Sequence, residues 1–289
     1  VFVNLKSSNH SQAFPRYGLF AFFLCGLSWI VSWSHLRPFG PYTFFTLWLG
    51  FILFVDACVF FRHGTSLWQR MRWRFVSLFV FSAIFWWIFE EFNVSVQNWH
   101  YVMDQAYSPL AYFLISSLCF STVLPAVFEV TEFLATFHFF RLKLAADNPG
   151  PRLPIPVFIG LELLGVACLI LPWMFPHYCF ALIWISLVFL LDPWNNFVGR
   201  KSVFAHIISR DWRFVLVPLS GLICGFFWEM WNYFALPKWY YTVPFIGFWK
   251  IFEMPLLGYS GYLPFALELF ALYQFGLWIT RQPKDFLVV

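Results

Sequence analysis

Charge is what this chain of 289 residues has least of: Asp, Glu, Lys and Arg together make up 11% of it. Soluble domains carry about 25% charged residues, so the shortage argues against one. The 18 Lys and Arg fall into short segments and form no patch, so nucleic acid is not an expected partner. Cysteine is sparse and unpatterned. Cys25, Cys58, Cys119, Cys168, Cys179 and Cys224 all lie in apolar runs, none in CxxC or CxxCH spacing. That disfavours covalent c-type haem and cysteine-ligated clusters. Of the seven histidines only His138 is plainly inside an apolar segment, which leaves no facing pair for a b-type haem. P-loop, GxSxG, HExxH and GxGxxG signatures are missing. So is the ExxH pairing of carboxylate-bridged di-iron bundles, and no metal site is expected. There is no cleavable signal pattern, and the first residue is Val, which points to a trimmed or incompletely read start.

What is abundant is apolar surface. Hydrophobic residues make up 61% of the chain, with 42 Phe and 17 Trp. This composition predicts an all-α integral membrane protein. A span needs about 20 mostly apolar residues. Eight segments qualify: 17–34, 42–61, 75–93, 109–140, 155–173, 178–198, 213–234 and 259–280. A further apolar piece near 243–257 contains Lys250 and two prolines and reads as interfacial or re-entrant. Basic residues set the orientation. With the N-terminus inside, 15 of the 18 Lys and Arg, including Lys6, Arg70, Arg141, Lys143, Lys201 and Lys284, fall on the inner side. Arg37, Lys238 and Lys250 fall outside. Both termini are therefore expected to be cytoplasmic, and a bacterial cytoplasmic (inner) membrane is the expected location.

The polar residues inside these segments recur. Glu90, Asn93, "LPAVFE" (124–129) and Gly26 each have a counterpart 139 residues later, in Glu229, Asn232, "LPFALE" (263–268) and Gly165. Trp99 and Tyr101 recur as Trp239 and Tyr241 after one inserted residue. Upstream, Tyr42, Trp48, Asp56 and Ser66 match Tyr178, Trp184, Asp192 and Ser202 at an offset of 136. Rare residues repeating in order predict two four-helix units of parallel topology, 1–145 and 155–289. A Pro/Gly-rich cytoplasmic linker at 146–154 joins them.

Ten of the 14 acidic residues lie in apolar segments, almost without bases beside them. An ionisable residue within a span is a functional candidate, because its burial is costly. Glu90, Asn93 and Trp99, with Glu229, Asn232 and Trp239, form an outer layer expected to bind a ligand or line a cavity. Glu129 and Glu268 lie deeper and are candidate general acids. Asp56 and Asp192 precede helix stop and start signals and read as a structural inner layer. A plainer reading stands beside these: Glu and Asn near a helix end can simply lock it by bonding Trp N–H and backbone groups.

Three functions fit. The first is a multi-pass subunit or lipid/apolar-cofactor-binding module that docks a partner on its outer face. The second is an intramembrane enzyme acting on a lipid or isoprenoid. The third is a proton- or cation-coupled transporter. No motif requires a cofactor. The aromatic content, 25% of the chain, suits a bound lipid, quinone or carotenoid, and equally suits a lipid-facing surface. Membrane lipids, and possible further membrane-complex subunits, are the expected partners.

Overall fold

The computed structural model describes residues 13–137, 150–282 and 285–288. The N-terminal residues with Lys6, the stretch holding His138, Arg141 and Lys143, the first four residues of the expected linker (146–149) and Lys284 lie outside these. The first half comprises α1 (Arg16–Trp33), α2 (Thr43–His63), α3 (Leu67–Met71), α4 (Phe75–Val96), β1 (Trp99–Val102), α5 (Pro109–Phe120) and α6 (Val123–Ala135). The second comprises α7 (Ile155–Met174), α8 (Pro176–Cys179), α9 (Ile183–Phe197), α10 (Val203–Ile208), α11 (Leu216–Tyr233), β2 (Lys238–Tyr241), β3 (Lys250–Ile251), β4 (Met254–Pro255) and α12 (Tyr262–Ile279).

Among the described residues, seven helical segments are long and apolar enough to cross a membrane, so this is a multi-pass membrane protein. They are Arg16–Trp33, Gly40–His63, Leu67–Val96, Pro109–Ala135, Ile155–Met174, Pro176–Phe197 and Leu256–Ile279. The expected segment at 213–234 is the helix α11, which falls outside that set. Its last two turns carry Glu229, Asn232 and Tyr233 among tryptophans and lower its apolarity.

Local chemistry sets the helix ends. α2 stops at Gly64, whose φ of 75° is the left-handed conformation that glycine adopts without steric cost. Ser66 and Ser202 then cap α3 and α10 by accepting the N–H of Gln69 and Ala205. The segment expected as one helix over 109–140 is broken after Phe120. Pro125 cannot donate a helical hydrogen bond, and Ser121 and Thr122 turn their hydroxyls back onto Leu118 and Cys119 carbonyls. Buried Ser82 on α4 bridges the break, donating to the Phe120 carbonyl (2.6 Å) and accepting the Leu124 N–H (3.0 Å). Apolar surroundings offer no water for these groups, so a side chain must satisfy them.

α1 packs on α2, and α6 on both α2 and α4; α7 packs on α9, and α12 on both α9 and α11. The halves meet where α6 packs on α11 and α12 on α4, and where β1 pairs with β2. The core that runs through both halves includes Trp48, Phe89, Phe128, Phe265, Phe270 and Tyr273, all buried. Helix ends with the arginines, at 62–74, 198–210 and 281, gather at one end, and the β1–β2 ribbon closes the other. At the arginine end the C-terminal segment folds back. Arg70 donates to the Phe286 carbonyl and pairs with Glu132 (2.6 Å), Glu132 accepts the Val288 N–H, and Lys201 pairs with Asp285 (3.2 Å).

Candidate functional site

The ribbon is antiparallel and joins the two halves. Trp99 faces Tyr241, His100 faces Tyr240, and Tyr101 faces Trp239. Each strand follows a helix bearing a Glu and an Asn one turn apart, and each pair does the same two jobs.

The asparagines hold the strands. Asn93 donates to the Trp99 carbonyl (2.8 Å) and accepts the N–H of Asn98 (2.8 Å) and Trp99. Asn232 donates to the Trp239 carbonyl (2.7 Å) and accepts the Trp239 N–H (2.8 Å). A side-chain amide offers a donor and an acceptor side by side, so it can pair with a backbone much as a neighbouring strand would.

The glutamates gather aromatic side chains by their polar ends. Glu90 Oε1 accepts from Trp86 Nε1 (2.9 Å), Trp99 Nε1 (3.1 Å) and the Tyr101 hydroxyl (2.5 Å). Glu229 Oε1 accepts from Trp239 Nε1 (3.3 Å), the Tyr241 hydroxyl (2.7 Å) and the Tyr262 hydroxyl (2.6 Å). Neither has a basic partner in an ion pair among the described residues. Glu229 is fully buried, and its Oε2 has no hydrogen-bond partner. In the ribbon, burial first and then the adjacent carboxylate push the Tyr101 and Tyr241 hydroxyls well above their ordinary range, which keeps them donors.

These aromatic groups form the wall of a cavity of about 270 Å³. Five tryptophans (Trp86, Trp99, Trp184, Trp228, Trp239), four tyrosines and four phenylalanines line it. The α5–α6 break contributes Phe120 and Val123, and the turn into α12 contributes Ser260, Gly261 and Tyr262. Lys238 is the one charged side chain in the lining, and its ammonium is engaged by Glu253 and the Tyr233 carbonyl. Six of these thirteen rings turn their polar ends toward the glutamates.

Of the residues singled out in the sequence, Trp99 and Trp239 line this cavity. Glu90, Asn93, Glu229 and Asn232 are not in the lining; they hold the wall from behind. Glu129 and Glu268, both fully buried, also lie outside the lining. Glu129 has no hydrogen-bond partner on either oxygen, and Glu268 accepts only the Leu187 N–H (2.9 Å). Toward the arginine end, Asp56 accepts from the Tyr17 hydroxyl (2.7 Å) and the Trp68 N–H (3.0 Å). Asp192 accepts from the Ser202 hydroxyl and the Val203 and Phe204 N–H groups, which caps α10.

Sequence reasoning did not single out Trp86, Trp184, Ser82 or Tyr262 as part of this arrangement. Trp86 was reachable, since it stands four residues before Glu90 on one helix face. Tyr262 was not, because 33 residues and three short strands separate it from Glu229. Among the described residues no three His, Cys, Asp or Glu side chains come together as a metal site. Compared with protein-family models, curated proteins and solved structures, the chain matches none of them.

Proposed function

We propose that the protein is a lipid- or apolar-cofactor-binding membrane module whose ligand sits in the aromatic cavity between two duplicated four-helix units. The observation that carries this reading is the cavity itself: about 270 Å³, walled by thirteen aromatic residues, six of whose polar ends are tied off by Glu90 and Glu229. Such a surface suits a long unsaturated or isoprenoid chain. Glu129 and Glu268 stand outside the lining, which favours binding over acid catalysis by those two residues.

The duplication draws support from a compensated exchange. In the first half Trp86 supplies the third donor to Glu90, and Val123 begins α6. At the same offset of 139, Gly225 takes the place of Trp86 and Tyr262 the place of Val123, and Tyr262 supplies the third donor to Glu229. On this reading α11 is the eighth span, and the units at 1–145 and 155–289 share one orientation. The arginine end, with both termini, faces the cytoplasm of a bacterial inner membrane. The exposed rings of Phe245, Phe248 and Trp249 at the ribbon end offer a site for a further subunit.

The test is organic extraction of the purified protein followed by mass spectrometry. An apolar molecule near one per chain is expected, and its loss is expected in Gly261→Trp. Gly261 lines the cavity, with nothing within 4 Å of where its Cβ would sit. A protein that retains no such molecule, and whose tryptophan emission ignores added isoprenoid or lipid, would sink the reading.

A further inference from the structure

We infer that the cavity receives a positively charged group without hydrogen-bond donors, a quaternary ammonium of the choline type. This rests on the cavity being a ligand site and specifies which end of the ligand it holds.

A cation over an aromatic face is attracted by the negative charge of the ring's π cloud, most strongly over tryptophan and when water is excluded. Five tryptophans line this cavity. Ordinary apolar pockets stop there, but this one has a carboxylate behind each side of its wall. Trp86, Trp99 and Tyr101 donate to Glu90; Trp239, Tyr241 and Tyr262 donate to Glu229. All six rings belong to the lining. Three donors converging on one oxygen suit an anion. An N–H or O–H that donates to an anion pushes electron density back into its ring, which makes the face toward the cavity more attractive to a cation.

The charge count agrees. Among the described residues no Arg or Lys pairs with Glu90 or Glu229, and Lys238 is occupied by Glu253. Glu229 Oε2 remains buried and unpartnered. The wall therefore has negative character and no cation of its own to answer it. The donor count selects the kind of cation. A primary ammonium or guanidinium brings three or more N–H groups that need acceptors, whereas thirteen of the lining residues are aromatic and six of those rings already give their polar ends to the glutamates. A trimethylammonium group brings charge and methyl surface alone.

The experiment titrates the full chain, purified in a maltoside detergent, and follows tryptophan emission. Choline is compared with 3,3-dimethylbutan-1-ol, which has the same shape and no charge. Choline is expected to bind at least about tenfold more tightly, the effect of a few cation–π contacts. In Glu90→Gln/Glu229→Gln, whose amides keep an acceptor for the same rings, the ratio is expected to fall to about threefold or less. Trp184→Leu removes a ring face without touching either glutamate and serves if the double variant does not fold; it too is expected to shrink the ratio. Short-chain phosphatidylcholine against phosphatidylglycerol identifies the source: preference for phosphatidylcholine with no response to free choline points to a lipid head group, and a response to free choline to a soluble ligand. Equal affinity for choline and its neutral isostere, or no response to either choline or phosphatidylcholine, overturns the inference. If apolar chains still bind in that case, the ligand-site reading survives it.

Discussion

Tyr262 lies with its ring in the space that a β-carbon on Gly225 would need, and its hydroxyl reaches Glu229 at 2.6 Å. The glycine and the tyrosine work together: the missing side chain on α11 admits the ring that completes the glutamate's set of three donors. Trp86 and Val123 reverse the assignment in the other half, with the large residue on α4 and the small one at the start of α6.

That relationship predicts a rescue. Gly225→Trp alone crowds Tyr262 and should lower stability by about 1–3 kcal/mol, the usual result of overpacking. Tyr262→Val alone leaves Glu229 one donor short in a buried site, a loss of about 1–3 kcal/mol. The double variant rebuilds the arrangement around Glu90 and should be more stable than the sum of the two losses. Thermal unfolding in detergent of all four proteins closes the cycle. Strict additivity would break the proposed equivalence.

Ser82 should matter more than its size suggests. Ser82→Ala removes one partner from both the Phe120 carbonyl and the Leu124 N–H at a buried helix break. Two unsatisfied backbone groups cost about 1–3 kcal/mol each. Hydrogen exchange over 120–124 should speed up before exchange elsewhere in α5 and α6, and uniform exchange rates would argue against a local role.

Alkaline titration should separate the ribbon tyrosines from the rest. Tyr101 and Tyr241 are held neutral in the fold above their ordinary range, while the unfolded chain loses those protons near pH 10. Folded-state pKa values are thus raised. Their contribution is complete below about pH 10 and is lost as pH rises toward the folded values. Phenolate absorbance should show Tyr101 and Tyr241 titrating only as the protein unfolds. Tyr101→Phe/Tyr241→Phe should remove that late step.

Arg70 ties the C-terminal segment to the bundle. Arg70→Met leaves Glu132 buried without its cation, which costs about 3–5 kcal/mol for a buried pair. It also frees the Phe286 carbonyl. Limited proteolysis should then cut near 285–288 at protease levels that leave the wild type intact.

Orientation is open to direct labelling. Trp73 and Trp249 are both 78% exposed and lie at opposite ends of the bundle. In a cysteine-free background, Trp249→Cys should react with an impermeant maleimide on intact spheroplasts and Trp73→Cys only after lysis. The reverse pattern would invert the proposed topology.

Apolar run length marked out the membrane-spanning segments, because a chain that must satisfy its own backbone in hydrocarbon has few options besides helix. Helix stop and start signals were equally local: Gly64, Ser66 and Ser202 act on residues within one turn. The costly polar residues were visible as well, since a glutamate in an apolar run stands out wherever it is. What Glu90 and Glu229 bind was not visible, because their partners Tyr101, Tyr241 and Tyr262 come from 11 to 33 residues away and through a ribbon of two four-residue strands. The break after Phe120 was hidden because Ser121, Thr122 and Pro125 are each tolerated in a continuous membrane helix. Only Ser82, supplied by α4, makes the interruption affordable. Sequence by itself thus determined which stretches leave water and which residues pay heavily for doing so. Tertiary structure alone decided that the glutamates stand behind an aromatic wall and not in its cavity, because that placement depends on hydrogen bonds between side chains that no local periodicity relates.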